Sequence, residues 1–423
     1  MKNMSEFTSE PILLDKNTNV PAIDVFRSFF HTAQAFHLPI AAWQLPFKKE
    51  QHVILDLSGE AKTVIPELET LPPGFVFHPF QTNSLASDTN LQALFLNADI
   101  HYSTQDDAGI STSIHPATRL SVDSVTHSVF QNLEKTAATY GPKFHWVEKG
   151  ELSDTTEEDF TAMVRCAITE IEKETFHKVV PARQKIISLP ASFDAVRTFF
   201  QLCETYSQAF ISLISIPGVG TWAGASPEML ISTFPRENGG KIFKTVALAG
   251  TQPIQPNDKL TDAAWRQKEI EEQALVSRYI VNCFKKIRLR EYEETGPKTV
   301  AAGNLMHLKT VYTVDMDAVN FPDLGSVMLN LLHPTSAVCG MPKAPALNFL
   351  LKHEGFDRSF FSGFLGPVNL QEETHIYVNL RCMQLFKDQA ALYAGAGVTA
   401  DSDPQREWQE TEIKLNTLLN VIV

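Results

Sequence analysis

Two pairs of acids, each spaced by three residues, stand far apart in the chain: Glu269 and Glu272 in KEIEEQALVSRYI, and Glu407 and Glu410 in DPQREWQETEIKLNTLLNVIV. Both segments read as helices, and at that spacing the members of a pair share one helix face. Like charges so placed repel, so four carboxylates need a partner. A hard divalent cation is one such partner: Mg²⁺ takes oxygen ligands, keeps several waters and is often held by one or two carboxylates plus its substrate. Two solvated acidic faces are the other reading, and for any single acidic pair the commoner one. The second pair is set apart by its company. Lys414 falls at i+4 from Glu410, and a glycine-rich segment, ALYAGAGVTADSDP, leads into the helix.

Other polar residues interrupt apolar, strand-like segments. Lys178 lies in FHKVV, Arg183 in ARQ, Glu228 in GASPEMLIS, His307 before LKTVYTV and Arg381 in YVNLRCMQL. A charge within a strand that must bury a face is costly unless it is paired. Each residue alone reads as a solvent-facing strand position. Together they would suit a site that holds anions, a metal, one acid and one base.

The elements that must position them come from a chain of 423 residues, 43% hydrophobic and 20% charged, enough to bury a large core. The first 110 or so residues give weak signals: an aromatic-rich helix around Val25–Phe36, strands at His52–Leu57 and Gly74–Pro79, and a polar loop at Ser103–Ser113. From about Thr155 the pattern sharpens. EEDFTAMVRCAITEIEKETF is amphipathic at helical spacing, HKVVPARQKIISL alternates as a strand broken at Pro181, and FDAVRTFFQLCETYSQ is a second helix. A hairpin turning at Pro217–Gly220 follows, then the strand KIFKTVALAGTQP, the helix of the first acid pair and the strand HLKTVYTVDMD. Helices at DLGSVMLNLL and KAPALNFLLKHEGF precede a strand pair, HIYVNLRCMQLF and AALYAGAGV, and the last helix. Long strands in runs and helices in runs predict an α+β fold with large antiparallel sheets. No linker divides the chain, so residues 1–423 are expected to form a single domain, with a divergent N-terminal part (1–150) and a catalytic core (155–423).

Composition narrows the function. A net charge of −13 argues against nucleic acid or an anionic membrane surface as partner. The five cysteines are scattered without CxxC spacing, as expected of reduced thiols. The N-terminal segment has no signal-peptide apolar region and the chain no uncharged apolar run of membrane-spanning length, so a cytoplasmic location is expected. A monomer is expected too, since no dimerisation segment stands out. Thirteen histidines without ligand spacing make zinc a poor fit. GVGTWAG places its third glycine one position late for a dinucleotide fingerprint and precedes a strand, not a helix.

The segments HKVVPAR, GASPEMLI, ALAGT, KEIEEQALV, LHPTSAVCGMPK, SGFLGPV, YVNLRCMQL, YAGAGV and SDPQREWQETEIK together resemble the successive blocks of the chorismate-utilising enzymes: anthranilate, aminodeoxychorismate, isochorismate and salicylate synthases. The likeness runs from about Thr155 to Val423. It implies two packed antiparallel sheets with helices outside, chorismate as substrate and Mg²⁺ as cofactor. It implies Glu272 and Glu410 as principal metal ligands, with Glu269 and Glu407 as outer or water-bridged partners. Arg381, Lys414 and the backbone of Gly395, near Gly397, would then hold the substrate carboxylates, Arg as a planar fork and Lys as a point charge.

Three features bear on which member the chain is most like. Amine-transferring relatives often carry a nucleophilic lysine before Gly-Thr, where this chain has Ala249, followed by Gly250 and Thr251. Leu331–Thr335, LLHPT, resembles the isochorismate synthases. No glutamine amidotransferase domain is expected within residues 1–423. The resemblance therefore implies conversion of chorismate to isochorismate, by water attack at C2 and loss of the C4 hydroxyl, for menaquinone or siderophore synthesis. Lys178 would be the general base, which requires a neutral amine, and Glu228 the general acid, which requires a carboxyl held protonated. His307 would position the substrate, and Thr251 and Thr335 would donate from behind. Phe361 stands where many relatives carry a tyrosine whose hydroxyl bonds a substrate carboxylate. Salicylate synthase and an ammonia-using anthranilate synthase component are the alternatives.

Overall fold

The computed structural model describes residues 21–80, 91–104, 111–112, 124–125, 127–129, 144–148, 152–254, 260, 263–302 and 305–422. Period-two alternation along the strands sorts their side chains between two apolar layers. Ile40 and Ala42 point into one cluster and Ala41 and Trp43 into another. Phe75 and Phe77 share the layer of Trp43, whereas Val76 faces a third cluster. Strands apolar on both faces must be covered twice, and the fold that results is a four-layer stack of helices, sheet, sheet and helices.

The first sheet runs, edge to edge, Ser111–Thr112, Ile100–Ser103, Gln51–Leu55, Ile40–Gln44, Phe210–Ile216, Gly220–Ser226, Cys382–Leu385, Gln389–Gly395 and Ala182–Ser188. The second runs Glu293–Ala302, Leu305–Asp315, Lys241–Pro253, Met229–Pro235, Thr374–Val378, Phe364–Val368, Gly74–His78, Ala93–Asn97 and Lys62–Val64. Neighbouring strands in both are antiparallel. Trp43, Phe75, Phe77, Phe210, Trp222, Tyr377 and Tyr393 fill the space between the sheets. Aromatic side chains of that size contribute roughly 1.5–3 kcal/mol each when fully buried. Helices Ala22–Phe36, Ala195–Thr205 and Pro404–Ile422 cover the outside of the first sheet. Helices Gln267–Lys286, Leu324–Leu332 and Lys343–His353, with Glu157–Glu172, cover the second.

The α+β expectation and the two packed sheets hold, and several expected elements match closely, the strand Lys241–Pro253 to the residue. One reading fails in a way that matters for the site. HIYVNLRCMQLF is not one strand: Thr374–Val378 belongs to the second sheet and Cys382–Leu385 to the first. The chain crosses between sheets at 379–381, and Arg381 adopts φ 48°, a left-handed conformation uncommon for a side-chain-bearing residue. HKVVPARQKIISL divides likewise at Pro181. Lys178–Val179 pairs with Gly340–Met341 in a separate two-stranded ladder, and Ala182–Ser188 joins the first sheet. The expected loop Ser103–Ser113 contributes two strand ends, since Ser111–Thr112 pairs with Ile100–His101; residues 105–110 and 113 within it lie outside the described residues. The N-terminal part supplies strands to the interior of both sheets.

Candidate active site

Both sheet crossings, at Pro181 and Arg381, open onto one cavity of about 770 Å³, counting its open mouth. That is a size suited to a small ligand. Eleven residues singled out from sequence line it: Glu228, Ala249, Gly250, Glu272, His307, Phe361, Arg381, Gly395, Gly397, Glu410 and Lys414. Two more touch it at one remove. Lys178, 1% exposed, donates from Nζ to Glu272 Oε1 at 2.8 Å. Thr335 Oγ1 donates to Glu228 Oε1 at 3.4 Å. The backbone of Thr251 lies in the strand Lys241–Pro253, but its side chain is outside the described residues. Arg183 does not reach the cavity. It stacks 3.8 Å from the Trp408 ring centre, donates from Nε to Thr411 at 2.6 Å and pairs with Glu412, clamping helix Pro404–Ile422 to the first sheet.

Burial and charge set the protonation states. Burial pushes the Glu228 carboxyl up to about 7, against the pull of Thr335, Lys178, Lys414 and Arg381. His307 is pushed down to about 3, first by burial and then by Arg381, so its imidazole is neutral. Its Nδ1 lies 2.8 Å from the Gly250 carbonyl oxygen. A carbonyl only accepts, so the proton resides on Nδ1 and Nε2 is the acceptor. Burial lowers Arg381 to about 10, leaving it charged at neutral pH, and Nη1 donates to Thr417 Oγ1 at 3.2 Å. Lys414 Nζ bridges Glu410 Oε1 at 2.7 Å and the Gly395 carbonyl at 2.8 Å. The Gly395 carbonyl is therefore engaged, and being an acceptor it is not the atom that could hold a carboxylate.

Whether the four glutamates suit a divalent cation can be tested on their surroundings. All four line one cleft adjoining the cavity, and Glu272 and Glu410 line both. Four hard carboxylates in one cleft are the donor chemistry that Mg²⁺ prefers. Each is paired with its own cation: Glu272 with Lys178 at 2.8 Å, Glu407 with Lys268 at 2.6 Å, Glu410 with Lys414 at 2.7 Å and Glu269 with Arg266 at 2.6 Å. Among the described residues no three His, Cys, Asp or Glu side chains stand together as a ready-made metal group. The donors thus fit in kind, and binding would exchange ion pairs for a metal. Burial raises Glu272, but Lys178, Lys414 and Lys268 outweigh it and hold that carboxyl below the usual range. Glu407 is raised by burial and by Glu410.

Helix-start chemistry also accounts for part of the acid pattern. Glu269 and Glu407 both lie in the first turn of their helices, where the dipole favours an anion. Glu269 Oε2 accepts from the Arg266 backbone N–H at 3.0 Å, capping its own helix. Sequence reasoning overlooked Arg358 and Tyr393, which line the cavity, and Lys268 and Arg266, which hold the acids. The i,i+4 spacing of Glu354 and Arg358 was the available signal for Arg358.

Residues 49–423 match the family model described as chorismate binding enzyme, so the likeness begins well before Thr155. The isochorismate synthase EntC of Escherichia coli (strain K12) is 28% identical over 301 residues, 69% of this chain and 74% of that protein. A solved structure of MenF, the menaquinone-specific isochorismate synthase from Escherichia coli, superposes with a TM-score of 0.71 at 21% identity, covering 98% of this chain and 93% of that one. Anthranilate synthase component I from Streptococcus pneumoniae TIGR4 gives a TM-score of 0.62 at 18% identity, covering 90% of each chain. With the family match covering the whole second sheet, all of the first but the strand Ile40–Gln44, and every residue lining the cavity, the chain belongs to the chorismate-binding enzyme family.

Proposed function

We propose that this protein is an isochorismate synthase, interconverting chorismate and isochorismate with Mg²⁺ bound. The observation that carries the reading is Glu228, a buried carboxyl raised to about 7 in a cavity that also holds Arg381, Lys414 and, through Glu272, Lys178. Arg381 and Lys414 offer cationic donors to the two substrate carboxylates. Glu228 gives its proton to the C4 hydroxyl as it leaves. Lys178, held as an ammonium by Glu272, must first release a proton to solvent; as the neutral amine it takes the proton of the water that adds at C2, so one water enters as one departs and the ring is isomerised. Neutral His307, with Nε2 as acceptor, orients a substrate hydroxyl. Ala249 at the cavity wall presents no amine to the ring. Glu272 and Glu410, supported by Glu269 and Glu407, would hold the Mg²⁺, which when bound neutralises and orients a carboxylate. The relatives' names support the same reaction. Cytoplasmic action as a monomer and use of the product for menaquinone, in preference to a siderophore, complete the reading. Restored menaquinone in a strain lacking its own isochorismate synthase tests that use.

Incubating the pure protein with chorismate, with and without Mg²⁺ and ammonium, tests the reaction. Isochorismate is expected as the main product. Pyruvate with fluorescent salicylate, or anthranilate on adding ammonium, would replace it with one of the other family reactions.

Gly397 gives a sharper local test. A Cβ there would stand 2.8 Å from Glu272 Oε1 and 3.1 Å from Lys178 Cε. Both are distal parts of flexible side chains, so Gly397→Ala should fold, with a melting temperature within a few degrees of the parent. It should displace the Lys178–Glu272 pair and lower kcat/KM by about 10- to 100-fold. Parent-like kinetics would mean that this pair has no part in turnover.

A further inference from the structure

We propose that Arg358 is a positioning residue of this site, its buried ion pair with Glu354 fixing how the Lys178 segment and the Thr335 segment meet across the cavity. The inference rests on the function proposed above. Arg358 is 4% exposed, lies over the Phe80 ring at 4.4 Å and lines the cavity with Phe361. Its Nε donates to Glu354 Oε2 at 2.8 Å, and its Nη2 reaches Glu354 Oε1. The other donors go to backbone carbonyls: Nη2 to Val180 at 2.7 Å and Nη1 to Val338 at 2.9 Å. Glu354 Oε1 accepts in turn from the Ala182 N–H at 2.9 Å. One ion pair therefore ties down three cavity-lining backbone positions, 180, 182 and 338.

Val180 follows Lys178 by two residues, and Val338 follows Thr335, the partner of Glu228, by three. The two segments already meet through the ladder Lys178–Val179 with Gly340–Met341 and through Val180 N–H to Cys339 O at 3.0 Å. Arg358 closes the open end of that contact, facing the cavity. A buried ion pair adds little net stability compared with apolar groups of the same volume. A planar fork does fix directions, which neither an apolar pair nor a lysine can do. Displacement of a reacting group by about 1 Å can cost about 100-fold in rate.

The test compares full-length Arg358→Lys, Arg358→Met and the double variant Arg358→Met/Glu354→Leu with the parent, using chorismate and Mg²⁺. The double variant leaves no buried charge alone but unpairs the Ala182 N–H and the Val180 and Val338 carbonyls, so it should still fold and melt below the parent but above Arg358→Met, which also strands the Glu354 carboxylate. The double variant and Arg358→Lys should lose about 30-fold or more in kcat with KM changed less than about threefold. The Glu228 carboxyl band, identified by infrared difference against Glu228→Gln, should titrate at a shifted midpoint in both. A double variant with parent-like kcat and an unmoved Glu228 midpoint overturns the proposal. A parent without turnover on chorismate counts against the proposed function, and the Glu228 midpoint alone then decides the role of Arg358.

Discussion

Glu228→Gln is expected to slow chorismate turnover by about 1,000-fold and, at pH 8, to yield a protein more stable than its parent. The rate loss follows from removing a general acid, worth about 100- to 10,000-fold. The stability gain follows from burial, which raises this carboxyl to about 7 from an ordinary value of 4.5. The folded state binds the proton more tightly than the unfolded chain. Stability from this group is therefore complete below about pH 4.5 and is lost as pH climbs through about 7. At about 1.4 kcal/mol per pH unit, the loss is of order 3 kcal/mol. Glutamine keeps the shape and has no proton to lose, so the variant escapes that loss. Urea unfolding of parent and variant, both metal-free, should show the variant ahead by up to about 3 kcal/mol at pH 8 and the two equal near pH 4.5. A gap independent of pH would mean that Glu228 is already ionised in the folded protein. Unchanged turnover would remove its role as acid.

The chemistry of this site was more legible in the sequence than its construction. Lys178, Glu228, His307 and Arg381 each stood out as a polar group in an apolar segment, and the cavity gathers all of them, Lys178 through Glu272. Their partners were not legible, because Lys178 and Glu272 lie 94 residues apart and Lys268 and Glu407 lie 139 apart. Nothing local couples such residues. The chain's passage between sheets at 379–381 was hidden for a different reason. The residues on both sides are apolar and buried, so YVNLRCMQL reads as continuous while Arg381 turns through a left-handed conformation. The strand Glu293–Ala302 went unread because it is an edge, largely exposed, whose EETGPKT stretch has none of the apolar alternation that marks a half-buried strand. Strands such as Ile40–Gln44 and Gly74–His78 lie buried on both faces, which removes alternation in the opposite sense. Gly363 marks one packing constraint that sequence shows only as a glycine: a Cβ there would stand 1.9 Å from the His78 carbonyl oxygen, where the cavity-lining Phe361–Ser362 turn meets the strand Gly74–His78.

Glu272→Gln and Glu410→Gln should each reduce turnover by at least about 1,000-fold, and chelation of the parent by EDTA should do the same until Mg²⁺ is restored. The two variants separate metal binding from ion pairing, because their present partners differ in burial. Lys178 is 1% exposed, and Glu272→Gln leaves its ammonium without an anion, at a cost of roughly 1–3 kcal/mol. Glu410 makes a partly buried i,i+4 pair with Lys414, whose loss costs about 1 kcal/mol or less. Stability should therefore fall clearly in the first variant and less in the second. Response to Mg²⁺ should vanish in both. In the parent, saturating Mg²⁺ should raise the melting temperature as any ligand of the folded state does, by an amount that grows with the logarithm of its concentration. Calorimetric titration should find one site in the parent and none in either variant. If Glu410→Gln binds Mg²⁺ as the parent does, the shared cleft of acids is a set of salt bridges and the cation must be held elsewhere. If both variants lose binding while differing in stability as described, the lysines are partners that the carboxylates exchange for the metal.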